Sequence, residues 1–407
     1  MSKQIVIVGG GAAGFFAAII CAENTPSAQI TILEATSRVL AKVKISGGGR
    51  CNVTHACFDP KSLAEYYPRG RRELTGPFHH WQAQDTVDWF ASHGVKLKTE
   101  ADGRMFPVTD SSQTIIDCLT DEAARLGISV RLNCTVQTVK KNDAGSFALS
   151  LSDGSQLAAE KLLLATGGTR LAQSAVLPAA LGHETMPAVP SLFSFHVCHP
   201  FLNGLAGISF KSVQLQAPAQ ELASEGALLI THEGLSGPSV LKLSAWGARA
   251  FAGTSYHFQV LVDWTNGLDA TSMHNTFARY RHQHGRRRIA TSALFNLPQR
   301  LWERIPAQAG LPEERCWAEL RRPEEESLLQ TLTAQSFRVE GKSLNKDEFV
   351  TCGGVPTREI DFRTMQSKLC PGLYFAGEII DIDGLTGGFN FQNAWTTGYL
   401  AGKALAA

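Results

Sequence analysis

Ile5-Val6-Ile7-Val8-Gly9-Gly10-Gly11-Ala12-Ala13-Gly14 is the stretch that decides the fold. Four β-branched apolar residues in a row are what a strand buried on both faces requires. Gly9, Gly11 and Gly14 then fit G-x-G-x-x-G: a tight turn, a close backbone approach to a pyrophosphate, and close helix–strand packing. Ala12 to Glu23 is expected to be helical, with Phe15, Ala18, Ile19 and Ala22 on one stripe. Its free N–H groups and positive dipole end face the phosphate, which makes Ala12 and Ala13 contacts as well. A second strand, Gln29 to Leu33, ends at Glu34-Ala35, with Glu34 twenty residues beyond Gly14. A carboxylate there accepts ribose hydroxyls and repels a 2′-phosphate, so FAD or NAD is favoured over NADP.

About 360 residues later a second glycine-rich segment appears, Gly372-Leu373-Tyr374-Phe375-Ala376-Gly377-Glu378, leading to Gly384-Leu385-Thr386-Gly387-Gly388-Phe389-Asn390. Leu373 to Ala376 reads as a strand with Glu378 at its tip, placed for a ribityl hydroxyl. Gly387, Gly388, Phe389 and Asn390 open a helix expected over Phe391 to Ala406. A helix N-terminus against the N1–C2=O edge of a flavin stabilises the negative charge of its reduced form. The two segments together are what one chain needs to hold both the diphosphate and the isoalloxazine of FAD.

Three further segments favour a flavin over nicotinamide alone. Lys42-Val43-Lys44-Ile45-Ser46-Gly47-Gly48-Gly49-Arg50-Cys51-Asn52-Val53-Thr54 offers a loop of bare N–H groups and polar side chains that can follow a ribityl chain. Lys42, Ser46, Gly48, Gly49, Arg50, Cys51, Asn52 and Thr54 are its candidate contacts. Lys161-Leu162-Leu163-Leu164-Ala165-Thr166-Gly167-Gly168 is a strand ending in Ala-Thr-Gly-Gly, where the chain returns beneath the cofactor. Val130 to Val139 is expected to be one alternating strand passing the adenine, with the backbone of Val136 reading the base.

The motifs SGGGRCN, ATGG, THEGLSGP and GLYFAGEIIDIDGLTGGFNFQNAW, spread over nearly the whole chain, resemble the BaiN/YhiN-like family of bacterial flavoproteins. The resemblance implies a FAD domain of the two-dinucleotide-binding type carrying a large insert, noncovalent FAD, and oxidase or reductase activities that differ between members. It also implies that Gly11, Glu34, Arg50, Cys51, Asn52, Gly377, Glu378 and Gly388 line the cofactor. Ala41-Lys42 departs from the Gly-Arg or Gly-Lys common in relatives.

The expected fold is α/β: a Rossmann-like, three-layer FAD domain from residues 1–189 and 346–407, with an inserted β-barrel or sandwich plus helices at 190–345. Within the insert, 190–265 and 336–345 read as mainly β. Pro190 to Phe210, Ser212 to Gln216, Gly226 to Thr231 and Ser255 to Val262 form its strands, with extended structure at Phe337 to Glu340 and again at Glu348 to Cys352. Residues 266–335 read as helical. Thr231-His232-Glu233-Gly234-Leu235-Ser236-Gly237-Pro238 is a strand–turn–helix junction with Ser236 as the cap and Pro238 in the first turn. Its His232 is the candidate catalytic acid/base.

Net charge is +1 over 407 residues, which gives no global attraction to nucleic acid or lipid. Arg286-Arg287-Arg288 invites a nucleic-acid reading, but a solvated helix face is the ordinary account. No apolar run reaches the ~18 residues of a membrane helix. Nine cysteines without regular spacing read as reduced thiols of a cytoplasmic protein. No C-x-x-C exists, so Cys51 is read as a packing residue. No metal is expected, since His196-Val197-Cys198-His199 alternates with Phe193 and Phe195 as strand packing.

The chemistry implied is hydride exchange between flavin N5 and a small-molecule substrate, with O2 or NAD(P)H as the second partner. Gly167-Gly168-Thr169-Arg170 lacks the spacing of a second nucleotide motif, so NAD(P)H would act as a transient donor docking directly over the flavin. A redox sensor that holds FAD without turnover, and a flavin-dependent nucleic-acid modifier, are the alternatives.

Overall fold

The computed structural model describes residues 3–168, 172–343 and 350–407. Thr169, Arg170 and the beginning of the extended run expected from Glu348 lie outside them. The chain divides into two compact units, Met1–Ser191 with Lys346–Ala407, and Leu192–Asn345.

The first unit is built on a seven-stranded sheet. Five of its strands run parallel in the order Leu373–Phe375, Lys161–Leu164, Gln4–Val8, Gln29–Leu33, Ser129–Arg131. Register aligns Val8 with both Leu33 and Leu164, and Leu164 with Phe375. Gly9, Glu34, Ala165 and Ala376 therefore follow one another along the carboxyl edge of the sheet. The order reverses around the first strand, and that edge is where open α/β sheets bind ligands.

The first helix, Ala12–Asn24, is buried on nearly every side from Ala13 to Ala22 rather than along one stripe. The reason is a second helix, Phe389–Ala406, packed along it. A Cβ on Gly398 would come within 3.0 Å of the Ala13 carbonyl oxygen, and one on Gly402 within 2.7 Å of that of Ala17. Backbones this close exclude larger residues. Because 398 faces 13 and 402 faces 17, the helices run parallel, and both amino termini point the same way. The final helix begins nine residues before Gly398, so its amino terminus reaches about 14 Å beyond the level of Ala13.

The single strand expected over Val130 to Val139 is two strands. Ser129–Arg131 joins the parallel sheet, and Val136–Lys141 starts a separate antiparallel sheet with Phe147–Leu151 and Gln156–Ala159. Asn133 is left-handed at φ 52°, and the Asn133 and Cys134 N–H groups donate to the Thr36 and Glu34 carbonyls. Those bonds turn the chain out of the sheet.

The second unit carries a single seven-stranded antiparallel sheet, in the order Gln335–Val339, Phe258–Asp263, Ser209–Ala217, Leu222–Ile230, Gly234–Ser236, Ser194–His196, Gly341–Ser343. Pro190 to Phe210 is not one strand, because the chain turns through a short 3-10 helix at Pro200–Leu202. The helix Pro238–Gly253 interrupts the part expected to be mainly β. Helices at Ala270–His284, Gln299–Trp302, Ile305–Gln308 and Arg322–Thr333 share one apolar core with the sheet, including Trp264, Trp302 and Trp317.

Candidate functional site

The turn after the first strand has glycines of two kinds. A Cβ on Gly9 would lie 2.2 Å from the Ala165 carbonyl oxygen, and one on Gly14 2.0 Å from that of Gly9. Both are packing glycines. A Cβ on Gly11 would meet nothing within 4 Å, so its face is open. Gly11 is the N-cap of a helix with no side-chain cap and no acid in its first turn. The amides of Ala12 and Ala13 therefore present a bare, positive helix end suited to an anion.

Glu34 closes the turn from the side: its carboxylate accepts from the Gly10 N–H at 2.9 Å and from Thr36 N and Oγ1 at 2.9 and 2.8 Å. Ala35 beside it is exposed. Val136 lies two residues beyond Cys134, whose N–H is tied to the Glu34 carbonyl.

The returning strand brings Ala165 to Gly168 to the same edge. Thr166 Oγ1 is buried and finds no hydrogen-bond partner among the described residues. A Cβ on Gly168 would fall 3.1 Å from Glu378 Oε1 and 2.6 Å from Thr351 Oγ1. Glu378 in turn pairs with Lys42, and a Cβ on Gly377 would sit 2.9 Å from that of Ala13. Segments from positions 11–13, 42, 165–168 and 377–378 thus converge.

The loop before Thr54 is partly helical. Ala41 to Ile45 forms a turn of helix, and the chain breaks at Ser46, Gly47 and Gly48. Ser46 Oγ returns a hydrogen bond to the Val43 carbonyl. Gly48 and Gly49 have positive φ and open space where a Cβ would stand. They are the part of the loop free to approach a ligand.

Several side chains expected to face the cofactor have protein partners. The Arg50 guanidinium stacks 4.0 Å from the Phe106 ring centre and pairs with Glu100. Cys51 is fully buried and its thiol is pushed up to about 12 by burial, which removes it as a nucleophile at neutral pH. Thr54 Oγ1 donates to Gln392 Oε1 at 2.6 Å. Asn390 exchanges two hydrogen bonds with the Gly384 backbone.

The turn before the final helix is held by a frame that sequence reading missed. With its amide placed to satisfy both neighbours, Asn52 donates to the Thr54 carbonyl and accepts from the Gly388 N–H, each at 3.0 Å. The Tyr67 hydroxyl donates to the Phe389 carbonyl at 2.6 Å. The Phe389 ring packs against Tyr66 at 4.2 Å and His55 at 4.7 Å, which also meet each other at 5.7 Å, beside Gly387. Arg69 makes a two-pronged pair with Asp383, which is fully buried. Burial pushes the Asp383 carboxyl up, and Arg69 opposes it. Gly388 is left-handed at φ 97° and caps the final helix, again with no side-chain cap. The signal available in sequence was the Asp383-Gly384 pair inside the motif; its partner, 314 residues away, carried none.

His232 lies on the second unit and is exposed. The helix beginning at Pro238 is capped by Gly237 and not by Ser236, whose hydroxyl bonds to Ser194 at 2.6 Å. A Cβ on Gly234 would strike the Phe195 carbonyl oxygen at 2.4 Å, and one on Gly237 the Ala227 carbonyl oxygen at 2.9 Å. Packing therefore explains both glycines.

The open Gly11 face, the unpartnered Thr166 hydroxyl and two uncapped parallel helix ends fit a long, anionic dinucleotide. Fold and family together define a Rossmann-type, FAD-dependent oxidoreductase. The chain belongs to the HI0933-like family: residues 3–404 match the model described as HI0933-like protein Rossmann domain. It is 30% identical over 412 residues to the ribosomal RNA dihydrouridine synthase of Escherichia coli strain K12, covering 99% of this chain and 98% of that protein. It is 28% identical to a 3-dehydro-bile acid delta(4,6)-reductase of Clostridium scindens, covering 99% of each. In fold it is similar to a 3-ketosteroid-delta4-(5alpha)-dehydrogenase of Rhodococcus jostii RHA1, at 15% identity and TM-score 0.52, over 100% of this chain and 97% of that one. Two relatives are named for ribosomal RNA, so the charge argument against a nucleic-acid partner is not confirmed. Among the described residues no helix is long and apolar enough to cross a membrane.

Proposed function

We propose that this chain binds FAD noncovalently between its two ends and saturates a carbon–carbon double bond conjugated to a carbonyl, with NAD(P)H as electron donor. The observation that carries the reading is that two bare helix N-termini point the same way on the carboxyl side of one parallel sheet, the second about 14 Å beyond the first. Amides of Gly11 to Gly14 hold the diphosphate, and Glu34 accepts from the adenosine ribose. Val136 borders the adenine. Gly48, Gly49, Thr166 and the Lys42–Glu378 pair border the ribityl chain. The amino end of the final helix, at Gly387 and Gly388, stabilises negative charge on the ring. Bound FAD supplies two-electron hydride chemistry; the chain's part is position and electrostatics.

The relatives' names share one chemistry. Dihydrouridine is uridine with its C5=C6 bond saturated, and that bond is conjugated to the C4 carbonyl. A delta(4,6)-reductase acting on a 3-dehydro bile acid likewise reduces a double bond conjugated to a ketone. In uridine, and at the C4=C5 bond of the steroid, hydride adds at the β-carbon and a proton at the α-carbon; the C6=C7 bond takes hydride at the far end of the extended conjugation. Uridine in RNA is the substrate class we favour, since the relative named for it is 30% identical over nearly the whole of both chains. A planar 3-oxo steroid is the second, supported by the 28% identical relative. His232 is the candidate proton donor; H232A with unchanged turnover and pH profile would remove it.

Anaerobic stopped-flow with holoenzyme tests the reading. NADH or NADPH should bleach the flavin, and unmodified ribosomal RNA should restore its colour, with dihydrouridine found by nucleoside analysis. Recovery with a 3-oxo-Δ4 steroid and not RNA selects the second substrate class. Recovery with O2 alone overturns both.

A further inference from the structure

Three side chains at the far end of the first helix have no part in that reading. Glu23 lies in its last turn, His93 follows the helix Ala83–Ser92, and Glu122 sits on the helix Ser112–Arg125. One ligand atom from each lies within 4.8 Å of the others. His93 Nε2 is 3.9 Å from Glu23 Oε1 and 3.8 Å from Glu122 Oε1. Such separations suit ligands that share one ion at about 2.0–2.2 Å from each.

The histidine is set up from outside the cluster. Its Nδ1 lies 2.8 Å from the Trp89 carbonyl oxygen. A carbonyl only accepts, so Nδ1 carries the proton and Nε2 presents its lone pair toward the two carboxylates. Ligating histidines are oriented in this way, by a backbone carbonyl on the other nitrogen. The Trp89 indole, stacked 4.0 Å away at 25°, fixes the ring plane. A cavity of about 480 Å³ opens beside His93 and Glu122, with Cys118 and Asp121 in its wall, leaving room for water ligands. Arg125 holds both oxygens of the Glu122 carboxylate, through Nε and a terminal nitrogen, and its side chain is 65% exposed, so it must swing toward solvent for Oε1 to take an ion.

We propose that Glu23, His93 and Glu122 bind a divalent transition-metal ion of the Zn2+ class, which staples the first helix to its two neighbours. Imidazole with carboxylate oxygens suits this class, and water completes the shell. Ala12–Asn24 spans about 18 Å, so the ion lies at the opposite end of the helix from the phosphate turn and takes no part in hydride transfer.

The test uses chelator-treated holoenzyme, with Zn2+ for calorimetry and Co2+ as the visible probe. One equivalent should bind, raise Tm, bring up Co2+ ligand-field absorption, and leave the flavin spectrum unchanged. Glu23→Gln is a surface change that leaves the fold intact. It should weaken Zn2+ binding by at least the ~10–100-fold that loss of a supporting partner costs. His93→Phe keeps the stack on Trp89 and should abolish the Co2+ spectrum. No Zn2+ uptake by the wild type, or uptake by Glu23→Gln and His93→Phe equal to that of the wild type, overturns the proposal.

Discussion

The two glycine turns of the first unit present helix N-termini in the same direction, but they are built differently. The amino-terminal turn is shaped almost wholly by main chain: Gly9 and Gly14 have no room for a side chain, and Gly11 faces open space. The turn before the final helix is braced by side chains from elsewhere, through Asn52, Tyr67, Arg69 and the stack of His55, Phe389 and Tyr66. A diphosphate needs only converging N–H groups. A planar ring that changes charge on reduction needs a wall that does not yield.

If that contrast is right, damage to the two turns should separate into loss of fold and loss of cofactor. Arg69→Met leaves the Asp383 carboxylate buried without its partner. We expect about 3–5 kcal/mol lost in denaturant unfolding, with a loss below ~1 kcal/mol showing the brace to be dispensable. Gly14→Ala forces a methyl against the Gly9 carbonyl and should cost about 1–3 kcal/mol. Gly11→Ala should change stability by no more than about 0.5 kcal/mol, yet FAD retention on desalting should fall sharply because the methyl occupies the phosphate face. Equal stability losses for Gly11→Ala and Gly14→Ala would erase the distinction between open and packed glycines.

Acid sensitivity should centre beside the strand Leu373–Phe375 rather than on either turn. His183 is buried between Glu359 and Ser367, at 2.7 Å from each, and its ring meets Phe375 edge-on. Burial holds its pKa below the ordinary 6.5, against the opposing pull of Glu359. The folded state then binds fewer protons than the unfolded chain just below that value. Its contribution is complete above pH 6.5 and is lost as pH falls toward the folded pKa. His183→Gln should flatten that part of the stability–pH curve; an unchanged slope would assign the acid sensitivity elsewhere.

The phosphate turn was legible because its logic is local. Strand, glycine spacing and Glu34 all fall within thirty-four residues, and sterics fix each of them. The final helix was legible for the same reason, apart from two residues at its start. The brace was not, since Arg69 and Asp383 are 314 positions apart. The cluster of Glu23, His93 and Glu122 shows no ligand spacing because three different helix ends supply it. Arg50 was read as facing the cofactor from its place in a polar loop. Its actual neighbours, Phe106 and Glu100, come from strand pairing that a loop motif does not encode. In the second unit Pro200 broke the single strand that alternation alone had suggested over Pro190 to Phe210, while the helix opening at Pro238 was announced by its proline.

The visible spectrum of the purified chain tests the central claim most directly. The account predicts a yellow protein that releases one equivalent of FAD when unfolded and regains its colour when refolded with FAD. A colourless protein that stays colourless after incubation with FAD would contradict it.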